Sequence, residues 1–200
     1  MILFYTPNSP YARTSRIALR EWNILPNVEE RIAANRQADN PVLEFSPVGR
    51  VPTLIHDALT ITEASKVFSY IEELAGADKS AQSKDYDWSV ITEEGQISGF
   101  LEGIAFWIRE KRRAPEEQSQ FLLQVEHDRM LRCLDYIEKL AQARRLPDVN
   151  KFRTAALACA LDLMDYHDFH PQWRNDNRAL ASWFEQQINR PSMKDTAPVI

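Results

Sequence analysis

The chain has 200 residues, 44% of them apolar, which is enough to bury a core in one large domain or two small ones and excludes fibrous and disordered classes. With only 5 glycines the composition points to helix rather than to an all-β sandwich. The net charge of −5 is spread evenly, 7 basic against 9 acidic groups in residues 1–75 and 17 against 20 in the rest, so no basic face is available for nucleic acid.

The run Ile2-Leu3-Phe4-Tyr5, ended by Thr-Pro-Asn-Ser-Pro, predicts a strand, and Tyr11 to Trp22 an amphipathic helix. Val28 to Ile32 reads as a second strand and Pro41 to Phe45 as a short helix. Thr53-Leu54-Ile55 and Leu59-Thr60-Ile61 read as a hairpin around His56-Asp57-Ala58. Glu63 to Leu74, apolar at 64, 67, 68, 71 and 74, closes this unit as a helix. The polar stretch GADKSAQSKD then marks a boundary, beyond which four helical segments are expected: Asp87 to Arg113, Pro115 to Ala143, Lys151 to His167 and Asp176 to Asn189. The predicted organisation is an α/β domain over 1–76, a linker over 77–86 and an all-α bundle over 87–200.

Cys133 and Cys159 form no CxxC and no ligand cluster, which argues against a disulfide framework and a zinc ribbon. The opening MILFYTPNSP lacks the features of a signal peptide, and the most apolar stretch, Thr154 to Met164, is too short to span a bilayer. A cytoplasmic chain with no membrane partner is expected. Asp165, His167, Asp168 and His170 are metal-binding residue types without a ligand pattern, so no metal is expected. Gly95, Gly99 and Gly103 recur every four residues, a stripe suited to close helix packing, with a pocket wall as the alternative.

Ser9 stands where a strand gives way to a helix, with Pro10 suited to the first helical position. This makes Ser9 the N-cap, either as a plain cap or as a hydroxyl at a helix end that favours anions and thiolates. Pro52, in Gly49-Arg50-Val51-Pro52-Thr53-Leu54, directly precedes a strand. If cis, it would turn Val51's backbone outward like a strand edge, while an ordinary trans loop proline is the alternative.

Taken together, SPYAR with RIALRE, then FSPVGRVPTL, then TEASKVFSYIEEL resemble the thioredoxin-fold domain of glutathione S-transferases with an S-P-[FY]-x-x-R opening. Beyond the boundary, IREKRRAPEEQS and TAALACALDLMDYHDFHPQWRNDNRAL are similar to the all-helical domain of bacterial YibF-like members. The resemblance implies a thioredoxin-like α/β domain followed by a helical bundle, with glutathione as co-substrate. It places Ser9 as the hydroxyl that favours the glutathione thiolate and Val51, before a cis Pro52, against the cysteinyl backbone. Glu63 falls at the γ-glutamyl amine and Arg50 near the glycyl carboxylate. Where the family commonly has a serine after that acid this chain has Ala64, and the hydroxyl is lost unless Ser65 substitutes. The capping box expected at the core helix reads Lys151-Phe152-Arg153-Thr154, leaving Asn150 as a possible cap. Tyr11, Phe100, Ile104, Trp107 and Ile108 are candidates for a hydrophobic acceptor site, with core packing as the equal alternative. The family also implies a homodimer through the helix after Glu63 and the first long bundle helix; Lys66, Ser69 and Glu73 on the one and Glu93, Glu94 and Ser98 on the other offer opposite charges for such an interface, with plain solvation as the alternative. Both thiols of the related C-P-Y-C motif are absent at Ser9 and Ala12, which excludes disulfide exchange there. The expected activity is glutathione transfer to a small electrophile; the alternative is a non-catalytic glutathione-binding or protein-interaction module of the same fold.

Overall fold

A computed structural model of the chain describes residues 1–33, 37–76 and 87–199. It divides into two compact units, Met1–Asp85 with Pro191–Ile200, and Tyr86–Arg190. The expected linker at 77–86 lies outside the described residues. The last ten residues, which the sequence reading gives to the helical domain, belong to the first unit. The reason is a set of polar anchors on the first helix, described below.

In the first unit four short strands form one mixed sheet in the order β2-β1-β3-β4: β1 (Ile2–Tyr5), β2 (Glu29–Ile32), β3 (Thr53–His56) and β4 (Leu59–Thr62). β1 pairs parallel with β2 and antiparallel with β3, which turns back into β4. The parallel pair needs a crossover, and α1 (Pro10–Glu21) supplies it. A second helix, α2 (Ala64–Leu74), follows β4 and packs on α1. Leu3 and Phe4 point to opposite faces of β1 and are both fully buried, so the central strand is covered on both sides. Phe4 meets Ala12, Ala33, Val42 and Val51. Each element anticipated for this half is present, in a thioredoxin-like topology.

The second unit is helical: α3 (Trp88–Lys111), α4 (Gln120–Gln142), α5 (Phe152–Tyr166), a short α6 (Trp173–Asp176) and α7 (Arg178–Ile188). A last short helix, α8 (Pro191–Lys194), belongs with the first unit. α5 is apolar nearly all round and is the central helix, with Ala155 to Leu161 fully buried, Cys159 among them. Its N-cap is Lys151, with no side-chain cap, so Asn150 does not fill that role. Instead Thr154 donates its hydroxyl to the carbonyls of Asp148 (2.6 Å) and Lys151 (3.0 Å). Glu93 on α3 is buried with Arg153 of α5 and Arg145 beyond α4, which removes it from the acids expected at a dimer surface. α7 has no side-chain cap of its own; Glu138 on α4 accepts the N–H groups of Ala179 (3.1 Å) and Leu180 (2.8 Å), placing a carboxylate at the positive end of that helix.

The glycine stripe divides. A side chain at Gly103 would collide with Glu126 and Arg129 of α4, whereas Gly95 and Gly99 face open space. Only Gly103 therefore serves close packing. Against it lies Glu126, 7% exposed, with Arg129 Nη1 at 3.3 Å. Burial pushes the Glu126 carboxyl up, Arg129 opposing and Glu102 adding to the rise. An acid raised in the fold binds its proton more tightly there than in the unfolded chain, so its ionisation destabilises at neutral pH and the penalty fades as pH falls through the folded pKa. Glu126→Gln is expected to raise the melting midpoint at pH 7, with the gap to the wild type closing as pH is lowered. A gap constant in pH would contradict this, and paired thermal melts across pH 4 to 7 measure it.

Candidate functional site

Strand register assembles the candidate residues. Phe4 of β1 lies opposite Thr53 of β3, and Thr53 lies opposite Thr62 of β4. The chain leaving β1, the chain entering β3 and the chain leaving β4 therefore meet at one rim of the sheet, on neighbouring strands about 4.8 Å apart. Ser9 follows the first, Val51-Pro52 are the last residues of the second, and Glu63 follows the third. Ser9, Val51, Pro52, Glu63, Ala64 and Ser65 are thus gathered on one rim. Arg50, exposed, is next to them in the chain, and its carbonyl accepts the Thr53 hydroxyl at 2.7 Å.

Helices α1 and α2 both begin at that rim. Ser9 is the N-cap of α1, its hydroxyl oxygen accepting the Ala12 N–H at 3.2 Å, with Pro10 in the first turn. As the oxygen is the acceptor, the hydroxyl proton stays available for another partner. Glu63 is the N-cap of α2, its carboxylate accepting Ser65 N–H on Oε1 (3.3 Å) and the Ser65 hydroxyl (2.5 Å) and Lys66 N–H (3.3 Å) on Oε2. A carboxylate has about four acceptor positions, and the one left lies on Oε1. Glu63 also stands at φ 75°, a left-handed conformation that costs a non-glycine residue about 1–3 kcal/mol and collects at functional sites. The N-terminus of α1 favours negative charge at the rim, while that of α2 already carries the Glu63 carboxylate.

The loop leading to Val51 is braced from below. Asn40 donates to the Gly49 carbonyl at 2.8 Å while its oxygen accepts Val42 N–H, and Gly49 takes φ 59° where a side chain would strike Leu43. The Val51–Pro52 bond is cis. Ala64 is buried, and the hydroxyl of the next residue, Ser65, is directed at Glu63.

Tyr11, half-buried, lies in the first unit two residues beyond Ser9. Phe100, Ile104, Trp107 and Ile108 lie on α3 in the second unit and are buried there, with Trp107 stacked on Phe169 at 4.4 Å. Asp165 is engaged by Arg174 through two bonds of 2.6 Å and by Trp173 at 2.7 Å. Among the described residues no group of three His, Cys, Asp or Glu could hold a metal ion, and no helix is long and apolar enough to cross a membrane. Missing from the sequence reading was the C-terminal segment beside Ser9: Asn8 pairs with Val199, 191 residues away, a separation at which no local pattern gives a signal.

Residues 3–79 match the family described as glutathione S-transferase, N-terminal domain. Over 193 residues the chain is 26% identical to the uncharacterized GST-like protein YibF of Escherichia coli strain K12, covering 95% of each. It is also similar in structure to a glutathione transferase family member of Pseudomonas fluorescens Pf-5 with bound S-(propanoic acid)-glutathione, at TM-score 0.80 and 27% identity over 100% of both chains. A glutathione S-transferase of Methylobacillus flagellatus KT with glutathione bound shares the fold at TM-score 0.85 and 22% identity over 99% of each.

Proposed function

We propose that the chain is a glutathione S-transferase of the YibF-like type, which binds glutathione at the rim of Ser9, Val51-Pro52 and Glu63 and transfers it through its sulfur to a small hydrophobic electrophile. The observation that carries this reading is the register that puts two helix N-termini, one capped by a hydroxyl and the other by a carboxylate, at one edge of the sheet. Glutathione offers a matching set of groups, a thiol that ionises, two carboxylates and one ammonium. The relatives with glutathione or a glutathione conjugate bound support the same reading.

In this proposal the Ser9 hydroxyl donates to the sulfur. Together with the end of α1 it favours the thiolate, and the thiol proton passes to solvent. The sulfur lone pair then forms the S–C bond while the leaving group departs with its electron pair. The free position on Glu63 Oε1 accepts the γ-glutamyl ammonium, Arg50 answers the glycyl carboxylate, and Ala64 leaves the γ-glutamyl carboxylate to its own backbone N–H at the start of α2. Tyr11 borders the electrophile, whereas Phe100, Ile104, Trp107 and Ile108, buried within the second unit, fit the core-packing alternative.

Retention on immobilised glutathione followed by conjugation of chlorodinitrobenzene tests the reading. Retention with turnover is the expected result. Retention without turnover would favour the non-catalytic module, for which Ala64 is the one supporting feature, and failure of both would overturn glutathione binding. The proposal includes a cytoplasmic setting and a two-fold homodimer, for which exposed Trp88, Val90 and Ile91 at the start of α3 offer apolar area. Sedimentation at micromolar concentration is expected to give about twice 23.2 kDa, and a 23.2 kDa species would remove the dimer.

A further inference from the structure

The chain from Thr6 to Ser9 is a tight turn closed by the Ser9 N–H on the Thr6 carbonyl at 3.1 Å, with Pro7 and Asn8 at its two central positions. The Asn8 side chain leaves this turn and pairs with the backbone of Val199 in both directions. Its Nδ2 donates to the Val199 carbonyl at 3.0 Å, and its Oδ1 accepts the Val199 N–H at 2.8 Å. One amide group thus reproduces the two-bond exchange of a strand pair.

Two further anchors hold the same segment along α1. Arg13, 3% exposed, donates from Nε to the Thr196 hydroxyl at 3.3 Å and from Nη2 to the Met193 carbonyl at 3.0 Å. Thr196, fully buried, passes its own proton to the Ser192 carbonyl at 2.7 Å. At the far end of α1 the Ser192 hydroxyl donates to Glu21 at 2.5 Å. Position 192 lies against 21, positions 193 and 196 against 13, and position 199 against 8. The segment therefore runs antiparallel to α1 for its whole length, about 20 Å, and finishes at the turn that presents Ser9. The inner anchors are buried and hold the segment to the helix. The outermost, exposed and in direct chain contact with Ser9, adds nothing to the core.

We infer that Asn8 is a positioning residue: by pairing with Val199 it clasps the C-terminal segment to the Thr6–Ser9 turn and so fixes where the Ser9 hydroxyl stands against the glutathione sulfur. The inference rests on the proposed glutathione reading and adds to it a role for residues some 190 positions apart. A turn held only at its two ends, through β1 and through Pro10 and α1, samples positions in which the hydroxyl misses the sulfur. A missed hydrogen bond raises the pKa of the bound thiol without removing the binding groups at Glu63 and Val51.

The test breaks the clasp from either side in the full-length chain. Asn8→Ala removes the side-chain half and Val199→Pro removes the N–H that Asn8 accepts. Each is expected to lower kcat/KM for chlorodinitrobenzene conjugation about fivefold at pH 6.5 and less than about twofold at pH 8.5, where the thiol ionises unaided, with the KM for glutathione within about twofold of the wild type. The double variant is expected to match the singles, since both remove one clasp. Amide exchange, read by NMR without ligand, is expected to quicken at Ser9 and Ala12 in both variants. A pH-independent loss, additive effects or unchanged exchange at Ser9 would each overturn the inference. Quickened exchange in a protein whose wild type neither binds nor conjugates glutathione would strike the proposed function and leave the clasp standing.

Discussion

Ser9→Ala is expected to lower turnover about ten- to a hundredfold while leaving the fold and retention on glutathione nearly unchanged, the effect of losing one hydrogen bond to a developing anion. The fold is spared because the N-cap contributes only about 1 kcal/mol, through the single bond from Ala12 N–H. Retention is spared because the groups proposed for the rest of glutathione sit on other elements, at Val51 and Glu63. Glu63→Gln should give the opposite split. It keeps an acceptor for the N–H groups of α2 but loses the charge facing the ammonium. The KM for glutathione is expected to rise about tenfold with kcat little changed, in the range of one charge-assisted hydrogen bond. Steady-state kinetics of the two variants with chlorodinitrobenzene separate these effects. Unchanged turnover in Ser9→Ala would end the role of that hydroxyl and pass attention to Thr6 or Tyr5 at the end of β1.

The features read most directly from the sequence were those with local causes. Ser9-Pro10 declares an N-cap because proline tolerates the first helical position and serine bonds the next turn, and the structure shows that bond. Strand runs bounded by turn residues placed β1, β3 and β4, and from those boundaries the rim follows once register is known. Register itself was not legible, since Phe4 opposite Thr53 depends on pairing between distant segments. The place of the C-terminal segment in the first unit is illegible in the sequence for a related reason. Ser192, Thr196 and Val199 show no local pattern that points to a distant helix, and Arg13, Glu21 and Asn8 supply those distant partners. Glu63 reads from the sequence as the start of the helix to Leu74; its left-handed backbone and its bonds to Ser65 and Lys66 are properties of the folded loop.

Glu93 is the sharpest case of a residue whose meaning lies in packing. By spacing it belongs to a solvated helix start beside Glu94, yet it is 3% exposed, held between Arg153 of α5 (3.1 Å) and Arg145. Arg153 follows directly on Phe152 at the positive end of a central helix that has no side-chain cap, a place where a cation is unfavourable without an acid opposite. Glu93→Gln is therefore expected to destabilise by about 3 kcal/mol, because Arg153, whose side chain is only 13% exposed, would remain buried without its counter-charge. For a chain of this size that is a fall of about 6 to 12 °C in melting midpoint. Arg145, about half exposed, can return to water and adds little to the cost. The companion variant, Glu93→Leu with Arg153→Leu, removes both charges together and is expected to recover most of the loss, since a well-packed apolar pair of similar volume avoids the desolvation that the ion pair must overcome. Thermal melts followed by circular dichroism measure both. A single variant melting within about 2 °C of the wild type would show that Arg153 reaches water once its partner is gone, and the pairing would then be a consequence of helix packing and not one of its supports.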